Sequence, residues 1–550
     1  MKNKRFFPVV LLVLTLGVGF FAGTWMPRDD DFFALRKNFE IFGSVYEELV
    51  TDYVDPLDPE RMMRNGLEAM LEDLDPYTVF FDEADNADID IITRGRYGGV
   101  GLNVQIRNGR VTVTSPVENA SGYKQGVRAG DIITHIGGKS TEDLSMADLR
   151  NLMRGEPGTA VEFTIEREGE PEPLLFMLTR EEVRLKNVTY SDFARGDTAS
   201  GIAYVKLERF GQGAAQEVKR SLVAMQQATP LKGVILDLRD NPGGLLDDAV
   251  EIAQLFVPQG SVIVSTRGRS PQTERTYRSS TAPMLPDVPV AVLMNDISAS
   301  ASEIVAGAIQ DLDRGLIIGV LSYGKGLVQI VKPLPYNTSL KITTAKYYTP
   351  SGRSIQAIDY SRHDGDFEQI PDSLRTTYQT AAGRTVKDGR GIEPDVEVTL
   401  GDDSELEEAL RRRAAFFFFA NHYAASHTAL PADLDMDAIY KDFRAWLGSQ
   451  DFSYRTSAER AITEVGDDLT ATGYTSATDE VAALQAAIVK EKNQDFDRHA
   501  DRLKNLLRAE IMARFASERE QIQSSLAHDP QFRQAIALVE DAGAYQKALR

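Results

Sequence analysis

Apolar positions divide the chain into stretches of different texture. From Asp31 to Asp85, Phe33, Leu35, Phe39, Ile41, Val45 and Leu49 recur at roughly helical spacing, and Asp75-Pro76 interrupts them. From Tyr97 the chain changes to short β-like runs. Val100 to Val104 and Val111 to Val113 flank the turn Asn108-Gly109 and predict a hairpin. Asp131 to Ile136 and Val161 to Ile165 predict two more strands, with a helix from Ser145 to Met153 between them. From Gly201 to Lys346 strands at Ile202–Leu207, Gly233–Leu238 and Val288–Met294 alternate with helices at Ala214–Gln227, Asp247–Phe256 and Ser302–Leu312. Nearly continuous apolar strands between helices predict an α/β layer fold with both sheet faces covered. After Leu400 the pattern is helical: a block at Glu405–Ala420, a charged amphipathic stretch from Asp479 to Ser524, and a last helix Pro530–Leu549.

The first residues read differently. Lys2, Lys4 and Arg5 precede an uncharged run from Phe6 to Met26, about one bilayer crossing. Basic residues before such a run keep that end cytoplasmic and send the rest outward. The expectation is an uncleaved single-pass anchor over 1–27 in a bacterial inner membrane, with the remainder periplasmic. A cleaved signal peptide and a soluble periplasmic protein is the alternative.

At 550 residues the chain is too long for one core. A net charge of −21 opposes binding to nucleic acid. The absence of cysteine excludes disulfides and thiol catalysis.

The candidate chemistry lies where histidine is missing, since Leu185 to Tyr360 contains none. A hydrolase built there must deprotonate a hydroxyl with an amine. Ser300, in Ser298-Ala299-Ser300-Ala301-Ser302, stands just before a predicted helix, whose free N–H groups and dipole favour negative charge. The Ala301 N–H is a natural oxyanion donor. Asp237-Leu238-Arg239-Asp240-Asn241-Pro242-Gly243-Gly244 also joins a strand to a helix, and its glycine pair lets backbone N–H groups approach a developing oxyanion. Lys325 lies between Gly324 and Gly326, and Gln329 follows four residues on, where a neutral amide can orient an amine. A lysine base must be neutral, which requires desolvation or nearby cations. Gly319 to Lys325 has the spacing of a phosphate-binding loop, but Gly326 replaces its hydroxyl residue and a strand follows, so nucleotide binding is excluded. Tyr97-Gly98-Gly99-Val100-Gly101-Leu102 is glycine-rich backbone before a strand, suited to capturing a peptide's terminal carboxylate.

Taken in order, Leu74 to Thr78, Tyr97 to Leu102, Asp237 to Gly244, Ser298 to Glu303, Gly324 to Gln329, Tyr348 to Gln356 and Gly391 to Asp395 resemble the C-terminal processing peptidases, the tail-specific serine-lysine proteases. The resemblance covers about 35 to 400. It implies an inserted PDZ domain (97–184) and a protease core similar to the crotonase and Clp peptidase folds (185–400); with the helical N-terminal region (28–96) and the helical C-terminal extension (401–550) read from the residue pattern, the expectation is a multidomain α/β protein. It assigns the nucleophile to Ser300 rather than Ser298 or Ser302, the general base to Lys325 and the orienting amide to Gln329. It places the oxyanion hole at Ala301 with Gly243 or Gly244, and peptide binding at Gly98, Gly99, Val100, Gly101 and Leu102. Arg154 resembles an arginine that couples the PDZ domain to the active site. No metal or cofactor is implied. The expected partners are proteins with free C-termini, the membrane, a second copy through the helical regions, and an adaptor. The rival readings are a non-catalytic PDZ scaffold and a crotonase-like acyl transferase.

Overall fold

The computed structural model describes residues 29–83, 91, 95–361, 367–399, 401, 404–427, 429–431 and 433–550. The anchor or signal expected over 1–27 lies outside them. Among the described residues no helix is long and apolar enough to cross a membrane.

Residues 29–80 belong to one compact unit. Helices α1 (Asp29–Asp52) and α2 (Pro59–Glu72) form it. Asp58 caps α2 by accepting from the Glu60 and Arg61 amides, and Pro59 supplies a preset first turn. The Asp75 carboxylate accepts from the Tyr77 and Thr78 amides, which makes the break foreseen at Asp75-Pro76 an Asx-type turn. Along α1, Phe32, Phe33, Leu35, Phe39, Phe42 and Val45 are exposed.

The second unit holds the rest. Its first part holds a two-strand ribbon of β1 (Arg96–Gly99) and, later, β7 (Glu181–Arg184), and an antiparallel sheet of five main strands with the two-residue strand Lys139–Ser140 paired to one of them. That sheet runs β2 (Leu102–Arg107), β3 (Arg110–Pro116), β4 (Ile132–Ile136), β5 (Ala160–Glu166), β6 (Leu174–Thr179), in chain order. Helix α3 (Met146–Met153) packs Leu149 and Met153 into its core, starting at a Ser145–Asp148 capping box. The hairpin turn is as read: Asn108 and Gly109 both have positive φ. Strand β2 is at the sheet edge.

The central sheet runs β8 (Val188–Phe193), β9 (Ile202–Leu207), β10 (Gly233–Asp237), β13 (Val290–Met294), β14 (Leu316–Gly319), β17 (Val396–Glu397), parallel from β9 onward. Helices α4 (Ala214–Ala228), α5 (Leu246–Ala253) and α6 (Ala301–Asp311) cover one face. A smaller antiparallel sheet runs β15 (Leu327–Pro333), β16 (Ser339–Tyr348), β11 (Val262–Gly268), β12 (Arg275–Arg278).

The C-terminal region departs from its reading as long helices. The block at 405–420 splits into α7 (Glu405–Arg412) and α8 (Ala415–Ala425), where Ala414 turns left-handed. After α9 (Met436–Ser449) and α10 (Ser457–Thr472), the amphipathic stretch is cut into α11 (Thr478–Lys492), a single turn at Asp495–Arg498, α12 (Ala500–Phe515) and α13 (Glu518–His528), the last break falling where Ser517 and Glu520 form a capping box. The last helix is two, α14 (Pro530–Glu540) and α15 (Ala542–Ala548), since Asp541 accepts from Gly543 and Ala544 and starts a new helix. Helices α14 and α15 cover the second face of the central sheet: Phe532, Ile536, Val539 and Tyr545 share a core with Tyr204, Ile235, Leu293 and Ile318. Helix α8 meets the edge strand β2, with the Phe417 ring 4.0 Å from the Arg107 guanidinium carbon and 4.3 Å from that of Arg514.

Candidate active site

Two neighbouring parallel strands, β10 and β13, each end in a tight turn into a helix, and the turns lie side by side at the strands' carboxyl ends. Hydrogen bonds join them. Ser298 Oγ donates to the Leu238 carbonyl (2.8 Å), Ser302 Oγ donates to the Asn241 carbonyl (2.9 Å), and the Ala299 amide donates to that same carbonyl (3.1 Å). Both hydroxyls are fully buried, whereas Ser300 between them is partly exposed.

Ser300 has φ 55° and ψ −111°, a conformation costly for any residue with a Cβ. Strained strand-to-helix turns of this kind push a hydroxyl outward at the tip of a sheet. The contact with the glycine turn is close. A Cβ on Gly243 would stand 2.7 Å from the Ala299 carbonyl, 2.8 Å from Ser300 Cβ and 2.9 Å from the Ala301 nitrogen, so only glycine fits there. Gly243 donates its N–H to Asn241 Oδ1 (2.9 Å). The Gly244 N–H has no acceptor among the described residues. Ala301, as the first residue of α6, has no intrahelical acceptor for its N–H.

Glu303 ties this turn to the lysine loop. Its carboxylate is fully buried. Oε2 accepts from the amides of Ser300 (2.8 Å) and Lys325 (2.9 Å), while Oε1 accepts from Ser322 Oγ (2.6 Å) and the Gly324 amide (2.7 Å). One oxygen therefore holds the Ser300 and Lys325 backbones within about 6 Å of each other, the sum of two hydrogen-bond lengths. Burial pushes the Glu303 carboxyl above its usual range, and its four donors offset only part of that. Its role was not foreseen. The signal was present in the sequence as Ser-x-x-Glu at a helix start, the capping-box spacing.

The Lys325 side chain is half-buried, and its carbonyl accepts from the Tyr347 hydroxyl. The flanking glycines meet the segment after Arg353: a Cβ on Gly324 would stand 2.5 Å from Ala357 Cβ, and the Gly326 amide donates to Gln356 Oε1 (2.7 Å). Arg353, fully buried, is held by Asp311 and Gln310 at the end of α6. Gln329 lies on β15 next to a bulge, and its amide donates to Thr343 Oγ1 on β16 (3.1 Å).

The other sequence candidates lie in the β1–β6 domain. Gly98 and Gly99 belong to the β1–β7 ribbon, while Val100 and Gly101 form the turn into β2 and Leu102 begins that strand. Gly101 has φ 69°, and a Cβ there would meet Ala120 Cβ at 2.1 Å. Arg154 pairs as an isolated bridge with Gly99, its guanidinium 5.6 Å from the Tyr97 ring centroid.

Behind the glycine turn, Asp237 is buried and accepts from Tyr204 Oη and from the Arg239 amide and guanidinium. Burial raises its carboxyl, but Arg239 and Tyr204 outweigh that and hold it below the usual range.

Peptidase family S41 matches residues 201–363, a PDZ domain matches 112–167, and the C-terminal helical domain of probable PDZ-proteases matches 406–539. The chain is 39% identical over 325 residues to a carboxy-terminal-processing protease of Bartonella bacilliformis, covering 58% of this chain and 73% of that protein. It is 29% identical over 322 residues to a probable CtpA-like serine protease of Staphylococcus aureus, covering 58% of this chain and 63% of that one. A solved photosystem II D1 C-terminal processing protease is 26% identical, with 64% of this chain and 85% of that chain covered at a TM-score of 0.37. The chain belongs to the carboxy-terminal processing peptidases of family S41, which are serine peptidases.

Proposed function

We propose that this chain is an extracytoplasmic endopeptidase that recognises protein C-termini through its PDZ domain and cleaves with Ser300 and Lys325. The reading is carried above all by Glu303, one buried carboxylate bonded to the backbones of both residues, beside the accessible serine of three. Neutral Lys325 takes the Ser300 proton as Ser300 Oγ attacks the scissile carbonyl. The oxyanion rests on the N–H groups of Ala301 and Gly244, the latter preferred because the Gly243 N–H is engaged by Asn241. The lysine ammonium then protonates the leaving amine, and water hydrolyses the acyl-enzyme. Gln329 orients the amine.

A substrate's C-terminal carboxylate docks at the Val100–Leu102 turn, and its last residues add a strand to the edge of β2 near that turn. Gly98 and Gly99 belong to the same peptide-binding loop, and Arg154, bridged to Gly99, couples that domain to the active site. The domain limits are 1–27, 28–96, 97–184, 185–400 and 401–550, with a core of the crotonase and Clp peptidase kind. The basic residues and uncharged run of 1–27 direct the catalytic part across a bacterial inner membrane, by anchor or cleaved signal. The exposed apolar face of α1 pairs with a second copy.

Ser300→Ala should abolish cleavage of an unfolded protein while leaving C-terminal peptide binding intact, measured by gel assay and fluorescence anisotropy. Cleavage by the variant at the wild-type rate would reject the mechanism. Binding by a wild type that never cleaves would favour a scaffold.

A further inference from the structure

Between the C-terminal helices and the protease core lies a cavity of about 700 Å³. Arg239 reaches it from the turn after β10, Arg411 from α7, Arg502 and Arg508 from α12, and Arg533 from α14, with His528 at the end of α13. Asp529 is the one carboxylate residue on its wall. Such a lining is unexpected in a chain of net charge −21.

Ion pairing accounts for part of it. Arg239 bonds Asp237 and Asp529, while Arg411 and Arg502 share Glu407. Arg508 and Arg533 have no carboxylate partner among the described residues, and Arg508 Nε is buried without a hydrogen-bond acceptor. A buried N–H without an acceptor costs about 1–3 kcal/mol, more on a charged group. Two guanidinium groups without counter-charges face one cavity, and each offers a planar fork that matches phosphate or carboxylate oxygens.

We propose that this cavity binds a small multivalent anion carrying two or more phosphate or carboxylate groups. Its volume lies within the range of small-molecule sites, about 300–1,000 Å³. Arg508 and Arg533 grip the ligand, and Arg411 and His528 line the wall beside them. Arg239 joins the site to catalysis: it holds Asp237, and the chain runs from it directly into the glycine turn beside Ser300. Binding at this site does not depend on the roles proposed for Ser300 and Lys325.

The test is calorimetric titration of the full chain with sodium tripolyphosphate and, separately, with citrate, at fixed ionic strength. Saturable binding is expected, weakened about tenfold or more in R508Q/R533Q. It should survive in R184Q, which removes an exposed arginine elsewhere, and largely in R508K/R533K. Arg533 is exposed, so R533Q alone keeps the fold and should still weaken binding. Binding of tripolyphosphate alone assigns a phosphate ligand, of citrate alone a carboxylate ligand, and of both a general polyanion site. No saturable binding of either anion, or binding by R508Q/R533Q and R533Q equal to that of the wild type, overturns the proposal.

Discussion

Glu303 occupies a position where charge, hydrogen bonding and loop geometry cannot be separated. Glu303→Gln keeps the size but replaces one acceptor oxygen by an NH₂ group. If that group faces Ser300 and Lys325, two amides lose their acceptor at about 1–3 kcal/mol each. The variant should unfold at lower urea concentration, and its kcat/KM should fall by about tenfold or more through displacement of the two loops. Unchanged values of both would refute the linking role. Burial raises this carboxyl, so the folded chain keeps a proton there at a pH where the unfolded chain has lost it. Its contribution to stability is therefore full below the unfolded value and declines as pH rises through the folded one. Activity should move the opposite way, because the ionised form accepts all four bonds. Parallel pH profiles of activity and urea stability check this, and the opposed trend should vanish in Glu303→Gln.

At the scale of elements, α14 is the informative case. Its Pro530 start and amphipathic pattern were readable, but not the surface it covers. The Phe532 ring meets Tyr204 edge-on at 5.1 Å, and Tyr204 in turn bonds Asp237 behind the glycine turn. Phe532→Ala should lose about 3–5 kcal/mol of stability, read as a shifted urea midpoint. A loss below 1 kcal/mol would mean that α14 is not part of the core. The strands β9, β10 and β13 were legible because each is a short apolar run between helices. The breaks at Ala414, Ser517 and Asp541 were less visible, because a cap competes with helix continuation and only tertiary contacts select it. The serine and glycine turns were legible as motifs, whereas the engagement of the Gly243 N–H by Asn241 depends on the folded turn.

At the scale of the whole molecule, the apolar face that α1 exposes among the described residues makes the strongest demand. Phe33, Leu35 and Phe39 are each more than two-thirds exposed, which water penalises at about 25 cal/mol per Å². Leu35→Glu with Phe39→Glu should convert an oligomer to monomer in sedimentation velocity without unfolding the second unit. A wild type that is already monomeric would remove the basis for pairing through α1. Cleavage of a short peptide by the variant would show whether assembly is needed for catalysis.

The sequence by itself determined the order of helical and β-rich stretches, the glycine and serine turns, and the pairing of a hydroxyl with an amine where no histidine is available. These are local properties: periodicity, turn chemistry and residue type act over a few neighbours. Only the tertiary structure decided that one buried glutamate would hold the serine and lysine loops together, that the last helices would close the sheet behind the site, and that arginines from four distant segments would converge on one cavity. Such arrangements join residues hundreds of positions apart, such as Tyr204 and Phe532, and no local pattern specifies a contact whose free energy arises only when the whole core is formed.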